Sequence, residues 1–333
     1  MNQKNNRAQR RHFLIGAGVG LVLPGLAIPD IALGQADNWP SKPIRLVVPS
    51  APGGAADFVG RTFGRYLEAQ IKQTVIVDNK PGANAIIGAE AVKSAAPDGY
   101  TYLVAGNSTQ SGNSAIFAKL PYDPAKDFEE VGMFGPFPTV GLVKKGSPFL
   151  SVADLIAYAK ANPGKLKYGY ASASSQIPSE LIKSRAGIDA VGAPYKNITQ
   201  IITDLVGGVL DFSFLDALTA APPLQTGLLT PIAVTSPKAF PLLPMVAPVA
   251  DVLPGFEMQG WLGLAAPVGT PRPILEKMNS YIRSATLDPT VKAALERQGM
   301  SVQSLSLSDH KAFVQADRQR WIEWVRIAKI PPQ

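Results

Sequence analysis

Two short clusters of small polar residues carry the chemistry of this chain. The first is Ser50-Ala51-Pro52-Gly53-Gly54-Ala55-Ala56-Asp57, and the second is Ala171-Ser172-Ala173-Ser174-Ser175-Gln176. The first follows an apolar run, Ile44-Arg45-Leu46-Val47-Val48. It precedes a segment with Val59, Phe63 and Leu67 at helical spacing. A strand, a glycine-rich turn and a helix start, in that order, aim unpaired backbone N–H groups at one point. Such a terminus carries partial positive charge, so a carboxylate or a phosphate suits it. Paired glycines let a ligand approach the backbone, because no Cβ intervenes. The competing reading is an ordinary βα turn that needs only free φ and ψ. The serines of the second cluster can donate to an anion and accept from water. They can equally satisfy the donors of a helix start. Asp57 reads as the N-cap of the first helix and, being negative, stays outside the anion site.

Composition removes several chemistries. The 333 residues include no cysteine, so there are no disulfides, thiolate nucleophiles or thiolate metal sites. There are two histidines, His12 and His310. His310, in Ser308-Asp309-His310-Lys311, reads as a solvated residue in the first turn of the last helix. No Gly-x-Ser-x-Gly elbow precedes it, so a Ser-His-Asp hydrolase has little support. No metal or cofactor is expected. The net charge of +7 is spread along the chain, without a basic cluster interleaved with aromatics. That excludes a nucleic-acid footprint but helps to attract small anions.

The N-terminus reads as an address. Arg10-Arg11-His12-Phe13-Leu14 is a twin-arginine signal, followed by an apolar run from Phe13 to Ile28. That run is about 16 residues long, against roughly 20 for a membrane span. Gly34-Gln35-Ala36 offers small residues for cleavage near Ala36. Residues 1–36 are therefore expected to be an export signal with a periplasmic destination. Gly16, Gly18 and Gly20 fall inside it, so they form no nucleotide loop.

The remaining length suits two domains. Strand and helix signals alternate. Strands are expected at Ile44–Val48, Thr74–Val77, Tyr100–Ala105, Val131–Phe134, Val140–Val143, Leu166–Tyr170, Phe212–Leu215, Ile232–Thr235 and Trp261–Ala265. Helices are expected at Phe58–Ile71, Ala85–Ala95, from Ser151 to Asn162, after Pro178, from Thr199 to Gly207, at Pro273–Thr286 and Pro289–Gln298, and from Ser308 onward. The pattern is α/β, with mostly parallel sheets flanked by helices. Ligands in such folds sit outside the carboxyl ends of the strands. Three loops lie at that edge: Ser50–Asp57, Gly106–Gln110 and Ala171–Gln176. Two belong to the first α/β series and one to the second, which implies an interdomain cleft. Asn107, Ser108 and Asp216 end strands at the same edge. Tyr195 and Lys196 read equally well as ligand contacts or as a solvated turn. Trp321 and Trp324 read as packing residues of the last helix.

Several motifs in order resemble the tripartite tricarboxylate transporter receptor family, also called the Bug family. They include Trp39-Pro40-x-Lys42-Pro43-Ile44-Arg45-Leu46-Val47-Val48-Pro49, Gly53-Gly54-x-x-Asp57 and Val75-x-Val77-x-Asn79-x-Pro81-Gly82-Ala83. Pro97-Asp98-Gly99-Tyr100-Thr101, Leu120-Pro121-Tyr122-Asp123-Pro124, Pro194-Tyr195-Lys196, Trp261-x-Gly263 and Pro267-x-Gly269-Thr270-Pro271 follow. The resemblance implies a two-lobe periplasmic-binding-protein fold, type II-like. Residues 37–140 plus 261–333 would form lobe 1, and 141–260 lobe 2. It implies a monomeric, non-enzymatic solute receptor for a small mono- or dicarboxylate, aliphatic or aromatic. Its partners would be the membrane permease subunits of a tripartite tricarboxylate transporter, with no nucleic acid. Carried onto this sequence, the ligand-binding residues are Ser50, Ala51, Pro52, Gly53, Gly54, Ala55, Asn107, Ser108, Ser172, Ser174, Ser175 and Asp216. Three departures stand out: Ile177 and Pro178 where the family often has a histidine, Asn197 where it has a glycine, and no aromatic after Pro49. They bear on ligand identity more than on the carboxylate cradle. Two alternatives stay open: a periplasmic serine-dependent hydrolase using Ser172 or Ser174, and a ligand-loaded receptor for a membrane sensor kinase.

Overall fold

The computed structural model describes residues 38–333; the export signal read at 1–36 lies outside them. The chain opens with β1 (Ile44–Val48), α1 (Ala55–Ile71), β2 (Val75–Asn79), α2 (Ile86–Lys93) and β3 (Thr101–Gly106). These make a parallel unit in the order β2-β1-β3. β1 is almost wholly buried, as its unbroken apolar run requires for a strand covered on both faces. α1 buries Val59, Phe63 and Leu67 along one stripe. A π-helical turn (Ser108–Gly112) and the short α3 (Asn113–Ile116) follow.

β4 (Phe128–Lys144) is the strand that joins the lobes. The sequence suggested two strands here, at 131–134 and 140–143, with Gly135, Pro136 and Pro138 between them. The structure has one 17-residue strand. Irregularities between Glu130 and Gly132 and between Met133 and Gly135 absorb the extra residues. Gly135, at φ 155°, must be glycine, because a Cβ would strike the Ser301 carbonyl.

The second series is α4 (Val152–Ala161), β5 (Lys167–Tyr170), α5 (Ala173–Ala186), β6 (Val191–Pro194), α6 (Ile198–Val206), β7 (Ser213–Asp216), α7 (Ala217–Gln225) and β8 (Leu229–Val234). β9 (Gln259–Pro267) then returns to the first lobe, followed by α8 (Arg272–Leu287), α9 (Pro289–Glu296) and α10 (Leu307–Ala328). β9 lies antiparallel between β3 and β4. The far end of β4 pairs antiparallel with β7 and β8. β5 and β6 are parallel, and a parallel bridge from Tyr168 to Phe212 ties them to the strand region of β7. Each lobe therefore keeps a parallel core, and the strands crossing between lobes add the antiparallel pairs.

Four further elements differ from expectation, α3 and β6 among them, since the sequence signals neither a helix at Asn113–Ile116 nor a strand at Val191–Pro194. α5 begins at Ala173 and carries Pro178 inside it. α7 was not anticipated, because Pro222 and Pro223 lie within it. The resemblance implies that everything from 261 onward belongs to the first lobe. In the structure α10 divides its packing. Val314 joins Trp261 and Met133, whereas Trp321, Ala328 and Ile330 enter a core with Leu181, Phe212 and Phe214 of the second lobe. Ile116 joins that core as well. His310, expected to be solvated, is fully buried. Its ring meets Trp261 edge-on at 5.4 Å, because the first turn of α10 faces the sheet.

Candidate functional site

A cavity of about 890 Å³ lies between the lobes. Ser50 to Ala56 line one side, from the turn between β1 and α1. Asn107 and Ser108, at the end of β3, line the floor, and Ser172 and Ser174 at the start of α5 face them. Asp216 and Thr219, where β7 passes into α7, complete the ring.

The N-termini of four helices therefore meet at this cavity, each with different satisfaction. α7 is capped by its own Asp216, whose Oδ1 accepts the Thr219 N–H at 2.7 Å. α6 is capped by Asn197, whose Oδ1 accepts the Gln200 N–H at 3.0 Å. α5 has Ser172 as its N-cap. α1 starts at Gly54, which has no side chain to cap it. Asp57 is not the N-cap, as the sequence had suggested, but a first-turn residue that reaches back to the Gly53 N–H at 3.0 Å. Burial opposes its ionisation, but hydrogen bonds from Arg61, Gly53 and Asn79 outweigh it and hold the carboxyl below its usual range. One donor of the turn is thus spent on Asp57. The Ala55 N–H reaches across to Thr219 Oγ1 at 3.3 Å.

Hydroxyls form a chain between the lobes. Ser108 Oγ lies 3.0 Å from Ser174 Oγ, which lies 3.1 Å from Ser172 Oγ. Ser175, also expected at the site, does not line the cavity. Its Oγ accepts the N–H groups of Ala171 and Ser172 and donates to the Ser172 carbonyl. That hydroxyl builds the turn. Two buried polar atoms on lining residues have no hydrogen-bond partner among the described residues: Ser50 Oγ and Asn107 Nδ2. Asn107 is oriented by its other amide atom, which accepts the Trp261 N–H at 3.4 Å.

Three stretches of the wall were not recognised in the sequence. One is Pro81–Ala85, where Ala83, Asn84 and Ala85 hold φ values of 46°, 53° and 71°. Left-handed backbone costs about 1–2 kcal/mol per non-glycine residue, and such strain concentrates at functional sites. Asn113 Nδ2 helps to fix it by donating to the Asn84 carbonyl at 2.8 Å. The signal available was the Pro81-Gly82 turn after β2, at the same sheet edge. A second stretch is Asn197–Thr199 with Ile202 on α6, beside Tyr195 and Lys196. Tyr195 donates to Asp204 at 2.6 Å, and this bond pushes its hydroxyl up to about 12. The third is apolar: Phe137, Leu262, Pro222 and Pro223.

Lys196 and Asp216 are the one basic and the one acidic side chain of the lining. Positive potential at the cavity comes from backbone N–H groups at the starts of α1 and α5. Burial pushes the Asp216 carboxyl above its ordinary range, against the pull of its Thr219 hydrogen bonds. Ser108, Ser172 and Ser174 bond one another, Ser50 Oγ is unpartnered, and none of these hydroxyls bonds an imidazole or a carboxylate among the described residues. A serine nucleophile needs an adjacent base, and this arrangement supplies none. What it can do is hold an anion by neutral donors beside an apolar wall.

Comparison with known proteins agrees with this chemistry. Residues 59–329 match the model of the Tripartite tricarboxylate transporter family receptor. A UPF0065 protein encoded in the tcbD-tcbE intergenic region of Pseudomonas sp. (strain P51) is 32% identical over 317 residues, covering 92% of this chain and 94% of that one. The R. palustris Rpa4515 structure with adipate superposes with a TM-score of 0.86 at 30% identity, covering 89% of this chain and all of the other. The periplasmic binding protein BugD superposes with a TM-score of 0.83 at 27% identity, with the same coverage. The chain belongs to the tripartite tricarboxylate transporter receptor family.

Proposed function

We propose that this chain is a periplasmic receptor that binds a small carboxylate between its lobes and delivers it to a tripartite tricarboxylate-type membrane permease. The observation that carries this is the shared cavity. The uncapped start of α1 and the serines of α5 belong to different lobes, yet both face it. Ser50, Ala51, Pro52, Gly53, Gly54 and Ala55 form one jaw, and Ser172 and Ser174 the other. Asn107 and Ser108 lie between them. Ser50 Oγ and Asn107 Nδ2 supply donors that the protein itself does not use. The family and the adipate-bound relative support a carboxylate as ligand. The cavity admits aliphatic and aromatic mono- or dicarboxylates, and the protein acts as a monomer. Binding closes the lobes about β4 and β9, because the ligand bonds both jaws only when they meet. The twin-arginine leader directs export and is cut near Ala36.

Calorimetric titration with adipate, malate, benzoate and terephthalate tests this reading. Saturable heat from at least one acid, with none from the matching amide, is expected. No heat from any of the four contradicts it. N-terminal sequencing of the exported protein checks the leader, with residue 37 expected first.

A further inference from the structure

A second polar arrangement, made by Arg318, Gln110, Pro124 and Glu130, lies outside the lining of the cavity. Arg318 projects from α10 and touches three segments at once. Its Nε donates to the Gln110 carbonyl at 2.7 Å. Its Nη2 donates to the Pro124 carbonyl at 2.8 Å and to Glu130 Oε1 at 2.9 Å. The Gln110 carbonyl belongs to the π-helical turn Ser108–Gly112, whose N-cap Asn107 and first residue Ser108 line the cavity.

We propose that Arg318 is a positioning residue for the ligand, fixing the π-helical turn that presents Asn107 and Ser108 to the cavity. The inference rests on the carboxylate-receptor reading. A π-helical turn is rare and occurs frequently at functional sites. This one has little help from solvent, because Thr109, Gln110, Ser111 and Gly112 are all buried. A charged donor on a buried carbonyl is about twice as strong as a neutral one. The guanidinium fork, anchored on Glu130, holds that donor in one plane.

α10 supports the same turn at two further points. The Trp261 indole donates to Asp317 Oδ2 at 2.9 Å, and the Trp261 N–H donates to Asn107 Oδ1. Trp321 fills the space beside Gly112 together with Ala173 of the opposite lobe. The far end of α10 is packed in the second lobe's core. One helix thus links the presentation of Asn107 and Ser108 to the position of the other jaw.

Arg318→Lys separates charge from geometry, since lysine keeps the cation near Glu130 and loses the fork. Arg318→Met removes both. Hydrogen–deuterium exchange of the ligand-free proteins reads the turn, urea unfolding reads global stability, and calorimetry with the four acids reads binding. In Arg318→Lys, amides of residues 107–113 are expected to exchange about tenfold faster, with a urea midpoint near wild type and affinity lowered about tenfold. Arg318→Met shows the same local effect with a lower midpoint. Exchange within about twofold of wild type at 107–113 in the folded variants overturns the proposal. So does faster exchange with unchanged affinity. If no acid binds the wild-type protein, the carboxylate reading fails instead, whatever the exchange shows.

Discussion

The buried pair His310 and Glu130 gives stability a pH dependence that one substitution should expose. The two side chains approach at 3.7 Å, His310 Nε2 to Glu130 Oε2, and neither atom has a hydrogen-bond partner among the described residues. Burial raises the Glu130 carboxyl from 4.5 to about 7, with Arg318 pulling the other way. Burial lowers the His310 imidazole from 6.5 to about 3. As pH falls from about 7 to 4.5, folded Glu130 takes up its proton before unfolded Glu130 does, so stability rises. As pH falls from 6.5 to about 3, unfolded His310 protonates and folded His310 does not, so stability falls. Each slope is about 1.4 kcal/mol per pH unit. Between 4.5 and 6.5 they oppose each other and cancel. His310→Gln removes one slope and leaves the other. Relative to wild type, it should gain about 2 kcal/mol on going from about pH 6.5 to about pH 5, and Glu130→Gln should lose about as much. Urea unfolding at several pH values, read as differences from wild type, removes the contributions of Asp216 and Asp317. A His310→Gln curve parallel to wild type throughout would refute the neutral-histidine argument.

Ser175→Ala should cost about 1–2 kcal/mol in urea unfolding, since the Ala171 and Ser172 N–H groups lose their acceptor. A cost under about 0.3 kcal/mol would contradict the turn-building role. Gly106→Ala should destabilise by about 2 kcal/mol or more, because its Cβ would sit 2.7 Å from the Trp261 carbonyl oxygen. A neutral outcome there would show that β3 and β9 can separate freely.

The sequence made the βα turns at the sheet edge legible because their signals are local. Ile44–Val48 needed only its apolar run, and the Gly53-Gly54 turn only its composition. The hydroxyl cluster at Ser172–Ser175 was visible, but not its division of labour. Ser175 turned inward because the helix start needed its oxygen. Asp57 was misplaced by three positions for a similar reason: Gly54 can begin a helix with no side chain. Glycine and proline mark breaks locally, so the sequence predicts two strands where bulges let one, β4, serve both lobes. His310 misled because exposure was inferred from polar neighbours, and tertiary packing decided which face of α10 met Trp261. The strained Ala83–Ala85 wall has no sequence signature beyond the preceding Pro81-Gly82, because tertiary contacts hold it.

The joint grip of two lobes on one carboxylate is tested most directly by a crystal structure with whichever of the four acids binds tightest. One carboxylate should accept from backbone N–H groups at the start of α1 and from Ser174 Oγ together, with Asn107 Nδ2 also engaged. A ligand held by one lobe alone, or seated away from Gly54, would contradict it.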